Sequence, residues 1–349
     1  MMENFIESYI SLLADKTGVA SILVEMGRQM EDVLKTRDSQ AQEIKDFAHA
    51  IEKAGRILLL GMGASHCVNE IFSFQLRKVG IDALAIPASE FLYDPIPVAG
   101  RVVLLTSQSG ESVETVKCLD LLKGEDLYGI TLERASTIGS RTKSIIVFGG
   151  NEKAFAGTRS VTLSLAVMAY VCERLGLVTL ESIDASIKFR QSDYVAMHQA
   201  VGLLYAKHSV VTTGRSLFSG LAQLFSLGGE ELGGKPILCN ETGQLRHGPL
   251  EVLSPDAVVV VFRQSGELGG LARSFNEIKR KTGCSLLVID SSGMDPLEDA
   301  VTVRCPTGSD IAATLGVMET FQTLMIAYAC GKNSRAGIPK FSSKVTRTE

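Results

Sequence analysis

Short aliphatic runs recur along this chain, each passing through a polar, glycine- or serine-bearing turn into a helical pattern. Arg56-Ile57-Leu58-Leu59-Leu60 leads into Gly61-Met62-Gly63-Ala64-Ser65 and a helical pattern through Val79. Further runs follow at 102–106 and 127–132. The block then repeats: Ser209-Val210-Val211-Thr212-Thr213 enters Gly214-Arg215-Ser216, a helical pattern covers 218–231, and runs return at 258–262 and 285–289. Continuous rather than alternating apolar runs mark strands buried on both faces, and their alternation with helices implies parallel sheets. The fold expected is therefore α/β, with two tandem units, each a parallel sheet flanked by helices. Residues 1–53 read as a helical lead-in, 54–183 as the first unit and 184–331 as the second, with a helical bridge at 184–201. Residues 332–349, carrying Gly, Pro and Ser, read as an irregular tail.

The two units share more than their periodicity. Thr106-Ser107-Gln108-Ser109-Gly110-Glu111-Ser112 joins a predicted strand to a predicted helix, and Gln264-Ser265-Gly266-Glu267 repeats its centre. A Ser/Gly turn at a helix start gathers hydroxyls, free N–H groups and the positive end of the helix dipole, a combination that binds phosphate without a lysine. The same turn alone is equally a helix cap. The repeat, at the carboxyl ends of parallel strands where such sheets bind ligands, favours the binding reading.

Composition narrows the partners. The 349 residues are 45% hydrophobic and 21% charged, as in a globular protein, and the formal net charge of −4 leaves no basic face for a nucleic acid. Much acidity lies early, at Glu3, Glu7, Asp15, Glu25, Glu31 and Asp32, and reads as a solvated helix face. Seven scattered cysteines without a Cys-x-x-Cys pair indicate neither zinc nor disulfides, and suit a reduced, cytoplasmic compartment. The start lacks the build of a signal peptide, and no uninterrupted apolar span is long enough for a bilayer, so no membrane association is expected.

Among five histidines, His247 stands out within Glu241-Thr242-Gly243-Gln244-Leu245-Arg246-His247-Gly248-Pro249-Leu250, between a polar loop and a Gly-Pro turn. An imidazole there can move a proton at a sugar oxygen, or be a plain loop histidine. His66, beside the first glycine turn, reads as structural. Glu230 and Glu231 close the preceding helical pattern, where a helix dipole would strengthen a carboxylate base; a solvated helix end is the alternative. Lys344 would by itself be a tail lysine.

Taken together, Gly63-x-Ser65, Ser107-Gln108-Ser109-Gly110-Glu111-Ser112, Leu245 to Leu250 and the C-terminal Pro339, Lys344 and Glu349 resemble the sugar isomerase (SIS) family. Asn151-Glu152 followed by Ala156-Gly157-Thr158-Arg159 is similar to that family's Glu…Ala-Ser-Thr-Lys segment. The likeness is strongest to the isomerase half of glucosamine-6-phosphate synthase and to stand-alone sugar-phosphate deaminases and deglycases. It runs from about residue 50 to the last residue, and implies two tandem SIS domains of flavodoxin-like three-layer build.

The resemblance also implies roles. Gly63, Ala64, Ser65, Ser107, Gln108, Ser109 and Ser112 would hold the phosphate and nearby hydroxyls of a hexose 6-phosphate. Glu231 would shuttle a proton between C1 and C2, and His247, supplied by the other subunit of a homodimer, would assist ring opening. Lys344 would reach over the open-chain sugar and assist imine chemistry; no metal or organic cofactor is implied. Three departures from the synthase stand out. A glutamine-hydrolysing domain is not expected, Gly228 replaces a lysine three residues before Glu231 and predicts a roomier pocket, and Gly233-Gly234-Lys235-Pro236-Ile237 replaces a longer polar pattern. The expected activity is degradative, on an amino-sugar phosphate or fructosyl-amine 6-phosphate. A plain aldose–ketose isomerase and a non-catalytic sugar-phosphate sensor are the alternatives.

Overall fold

A computed structural model of the chain describes residues 2–346, with side chains from Phe5 onward. Met1 and Glu349, the last member of the C-terminal motif, lie outside the described residues. Two sheets form: β1 Arg56–Gly61, β2 Asp82–Pro87, β3 Val102–Thr106, β4 Leu127–Thr131 and β5 Lys143–Ile146, then β6 Ser209–Gly214, β7 Ile237–Glu241, β8 Ala257–Arg263, β9 Ser285–Asp290 and β10 Val301–Arg304. Their strand orders are β2-β1-β3-β4-β5 and β10-β9-β8-β6-β7. All pairings are parallel. Read from β7, the second sheet repeats the first, in the flavodoxin-like 2-1-3-4-5 order. The expected α/β fold of two like-built units is what the chain adopts.

The chain divides into two compact units: one holds the first sheet (Val24–Ile183) and the tail from Pro339, the other the second sheet (Asp184–Ile338) and the helical start through Leu23. The first fifty-three residues are thus not one lead-in. The helices are Met2–Ile10, Thr17–Ser39 and Ala41–Ala54, and the second of these passes from one unit to the other. Nor is its acidic face wholly solvated. Glu25 and Asp32 are buried, because Arg159, itself fully buried, bonds Glu25 Oε2 at 2.7 Å and Asp32 Oδ2 at 3.1 Å. Burial alone would push the Glu25 carboxyl up. The Lys153 N–H and the Arg159 guanidinium outweigh it and hold that carboxyl below its ordinary value.

Each sheet is covered by aliphatic helix faces. Leu58, Leu60, Val103 and Leu105 pack with Phe91, Cys118, Leu119 and Ile138 on one face of the first sheet. Val211, Val259, Val261, Leu286 and Val288 pack with Phe275 and Ile278 in the second. The second unit also holds helix Ile311–Lys332, whose residues are all buried except Glu319, Gly331 and Lys332. By length and composition this helix could cross a bilayer, contrary to the sequence expectation; here it is a core helix.

Candidate active site

β1 and β3 are neighbours whose ends lie level, with Gly61 opposite Thr106. The order in which strands are added reverses between them, β2 lying to one side and β4 to the other, so both following turns open at the crevice where such sheets bind ligands. After β1, Gly63 takes φ +51° and starts helix Ala64–Arg77, which buries Ser65 in its first turn. Ser216, at the matching position after β6, repeats that backbone at φ +52° without being glycine. The geometry of the turn is thus a property of the fold, and Ser216 bears its strain.

After β3, the serine turn is tied down from several sides. Ser107 is buried, its N–H donates to Ile130 O at 3.1 Å, and its hydroxyl lies 3.2 Å from that of Ser112. Leu132 N–H and Thr131 Oγ1 both donate to Gln108 O. Ser109 Oγ accepts from Glu111 N–H at 3.2 Å, and the Glu111 carboxylate takes Thr137 N–H at 2.6 Å and Thr137 Oγ1 at 3.0 Å. Gly110 has φ +67°, and a Cβ there would fall 2.0 Å from Ser136 Oγ, so only glycine fits. Gln108, Ser109 and Ser112 remain half-buried just before helix Val113–Leu121.

The tail reaches this turn. Val113 N–H donates to Thr346 O at 3.1 Å, and Lys344 Nζ lies 3.6 Å from Glu152 Oε2. Nothing local in the sequence signals the contact between Glu152 and Lys344, which are almost two hundred residues apart.

Glu231 and His247 belong to the other unit. Glu231 is exposed in the last turn of helix Leu217–Gly233, which Gly234 closes in the left-handed conformation. Its neighbour Glu230 is structural: Oε1 accepts Ile237 N–H at 2.8 Å and fixes the start of β7. His247 is exposed between helix Thr242–Leu245 and the 3-10 turn Pro249–Val252, its N–H donating to Gln244 O at 3.0 Å. His66 lies in the first turn of its helix, Nε2 3.8 Å from Glu70 Oε1, with burial pushing its imidazole below the ordinary value against the pull of that carboxylate.

One sequence inference is overturned. Gly228 does not widen a pocket, since a Cβ there would fall 2.3 Å from Met325 Sδ on helix Ile311–Lys332. With Gly233, where a Cβ would fall 3.2 Å from Tyr328 Cε1, it lets the two helices meet closely, and the departure from lysine is a packing feature.

The SIS-domain family model matches residues 50–173 and 203–330, one match over each sheet. The chain belongs to the SIS-domain family. Among curated proteins, this SIS protein is 26% identical over 326 residues to the glutamine–fructose-6-phosphate aminotransferase (isomerizing) of Haemophilus influenzae, covering 86% of this chain and 53% of that one. The enzyme of the same name from Sulfurisphaera tokodaii is 24% identical over 272 residues, covering 75% and 46%. The chain thus spans about half the length of these relatives. Among solved structures, the C-terminal domain of glucosamine-fructose-6-phosphate aminotransferase from Francisella tularensis superposes with TM-score 0.80 at 20% identity, covering 91% of this chain and 98% of that one. Tagatose-6-phosphate ketose/aldose isomerase from Escherichia coli gives TM-score 0.73 at 17% identity, covering 88% and 90%. These superpositions share the fold.

Proposed function

We propose that this SIS protein removes the amine from an amino-sugar phosphate or a fructosyl-amine 6-phosphate. The serine turn, Ser107–Ser112 with Gly63, Ala64 and Ser65, would anchor the phosphate. His247, contributed across a homodimer, would open the ring, and Glu231 would carry a proton between C1 and C2. In a fructosyl-amine the proton leaves C1 and returns at C2, turning the C2 ketone and C1 amine into a C1 imine. Water adds to that imine and the amine leaves, giving an aldose 6-phosphate. Starting from a 2-amino aldose, the same shift runs from C2 to C1 and releases ammonia. Positioned acids and bases suffice for such proton transfers.

The observation that favours nitrogen chemistry over plain isomerisation is the tail lysine. Aldose–ketose exchange needs a base and a polarised carbonyl, whereas imine exchange gains from a primary amine. Lys344 lies in the same unit as the serine turn, on a tail bonded to the helix that Ser112 precedes. The relatives' names also speak of amino transfer to a fructose 6-phosphate.

The test is a screen of purified protein against hexosamine 6-phosphates and fructosyl-amino-acid 6-phosphates, reading free amine. Amine release is expected, with Glu231→Gln slowing it by about 10²–10⁴-fold. Deletion of residues 341–349 should abolish release while leaving the melting temperature nearly unchanged. Interconversion of hexose phosphates without amine release would establish the isomerase instead, and binding without turnover the sensor.

A further inference from the structure

We infer that Glu152 is the positioning residue for Lys344. This inference rests on the role proposed for Lys344, but its geometry stands on its own. Helix Arg159–Arg174 begins with free N–H groups that would suit an anion, and the protein supplies that anion itself. Glu152 Oε1 accepts Thr158 N–H and Thr158 Oγ1 at 2.9 Å and Arg159 N–H at 3.0 Å. Oε2 accepts Ser160 N–H at 3.3 Å and the Ser160 hydroxyl. The carboxylate is 1% exposed, and Lys344 Nζ stands 3.6 Å from Oε2.

The segment that bears Glu152 is held as firmly as the helix it caps. Arg159 donates to Gly150 O at 2.6 Å and to Phe148 O at 3.0 Å, in addition to its two carboxylate partners. Gly157 lies against the Gln108 side chain, where a Cβ would fall 3.3 Å from both amide heavy atoms. The capped helix end is therefore beside the serine turn. Two residues further along the tail, Thr346 O takes the Val113 N–H. The tail is pinned at two points, and the one that fixes its amine is Glu152.

A helix cap needs only an acceptor oxygen, and a neutral amide would serve. Holding an ammonium needs the charge. That difference separates positioning from mere capping, and Lys340 provides an internal control: it is exposed on the same tail, with its amine over the Phe341 ring.

The full-length protein is treated with a lysine-acetylating reagent, and labelling of each lysine is followed by mass spectrometry. Glu152→Gln should speed labelling of Lys344 roughly fivefold to tenfold, the loss of one partly buried ion pair, and leave Lys340 unchanged. Glu152→Asp, which keeps the charge, should fall between. Thr158→Ala, which weakens the cap alone, should leave Lys344 at the wild-type rate. No change at Lys344 in Glu152→Gln, or an equal rise at both lysines, overturns the inference. Labelling needs no substrate, so its outcome is independent of the proposed reaction. On a turned-over substrate, Glu152→Gln should lower kcat with little change in KM.

Discussion

Gln108-Ser109-Gly110-Glu111 and Gln264-Ser265-Gly266-Glu267 occupy the same place in two copies of one fold, each after the third strand of its sheet. The residue before each turn sets their chemistry apart. In the first it is Ser107, whose hydroxyl lies beside that of Ser112. In the second it is Arg263, 2% exposed, whose guanidinium donates to Gly269 O at 3.0 Å and Asp295 O at 2.8 Å. Burial pushes that guanidinium below its ordinary value, and its place is taken up by the protein's own carbonyls. The void left there, about 10 Å³ among Arg215, Thr242, Arg263 and Gln264, has room for one water at most. Gly269 folds so closely over Gln264 that a Cβ would fall 1.7 Å from its carbonyl oxygen. Duplication of a fold therefore does not duplicate the side chains of its turns. One copy carries paired hydroxyls there, and the other a buried arginine bonded to backbone carbonyls.

Substituting the shared glycines should break this symmetry most visibly. Gly110→Ala meets Ser136 at 2.0 Å and requires φ +67°. Strain and overpacking together should cost about 2–5 kcal/mol and abolish binding of phosphorylated sugars. Gly266→Ala, at φ +78° with open space around it, should cost only about 1–2 kcal/mol and leave binding intact. Chemical denaturation and calorimetric titration of both variants check this, and equal costs would show the two turns to be equivalent after all.

Arg263→Met should act on stability alone. It leaves buried carbonyls at Gly269 and Asp295 without their donor, a loss of about 2–4 kcal/mol by denaturant unfolding. Affinity for fructose 6-phosphate should stay at the wild-type level. A weaker affinity would make the second turn part of the site.

The same contrast shows what could be read from the residues. The six strands evident in sequence, β1, β3, β4, β6, β8 and β9, are all interior to their sheets, where burial on both faces demands an unbroken aliphatic run. The four not anticipated, β2, β5, β7 and β10, are all edge strands. Exposure breaks their pattern with polar residues, as at Asp82, Lys143, Asn240 and Arg304. The serine turn was legible because its chemistry is local. The occupied state of its twin was not, because it depends on Asp295 and Gly269 folding back onto Arg263. Gly228 misled for the same reason: its neighbour Met325 is almost a hundred residues away in the chain. Glu25 and Asp32 look like surface acids until Arg159 supplies their partner.

Calorimetric titration of fructose 6-phosphate and of fructose into the wild-type protein and Ser109→Ala tests the central claim, that the first turn alone receives the phosphate. The account predicts one sugar phosphate per chain. In the variant, affinity for the phosphorylated sugar should weaken roughly 10–100-fold, as loss of a hydrogen bond to a charged group implies, with fructose binding unchanged. Two equivalents per chain, or equal weakening of both ligands, would contradict it.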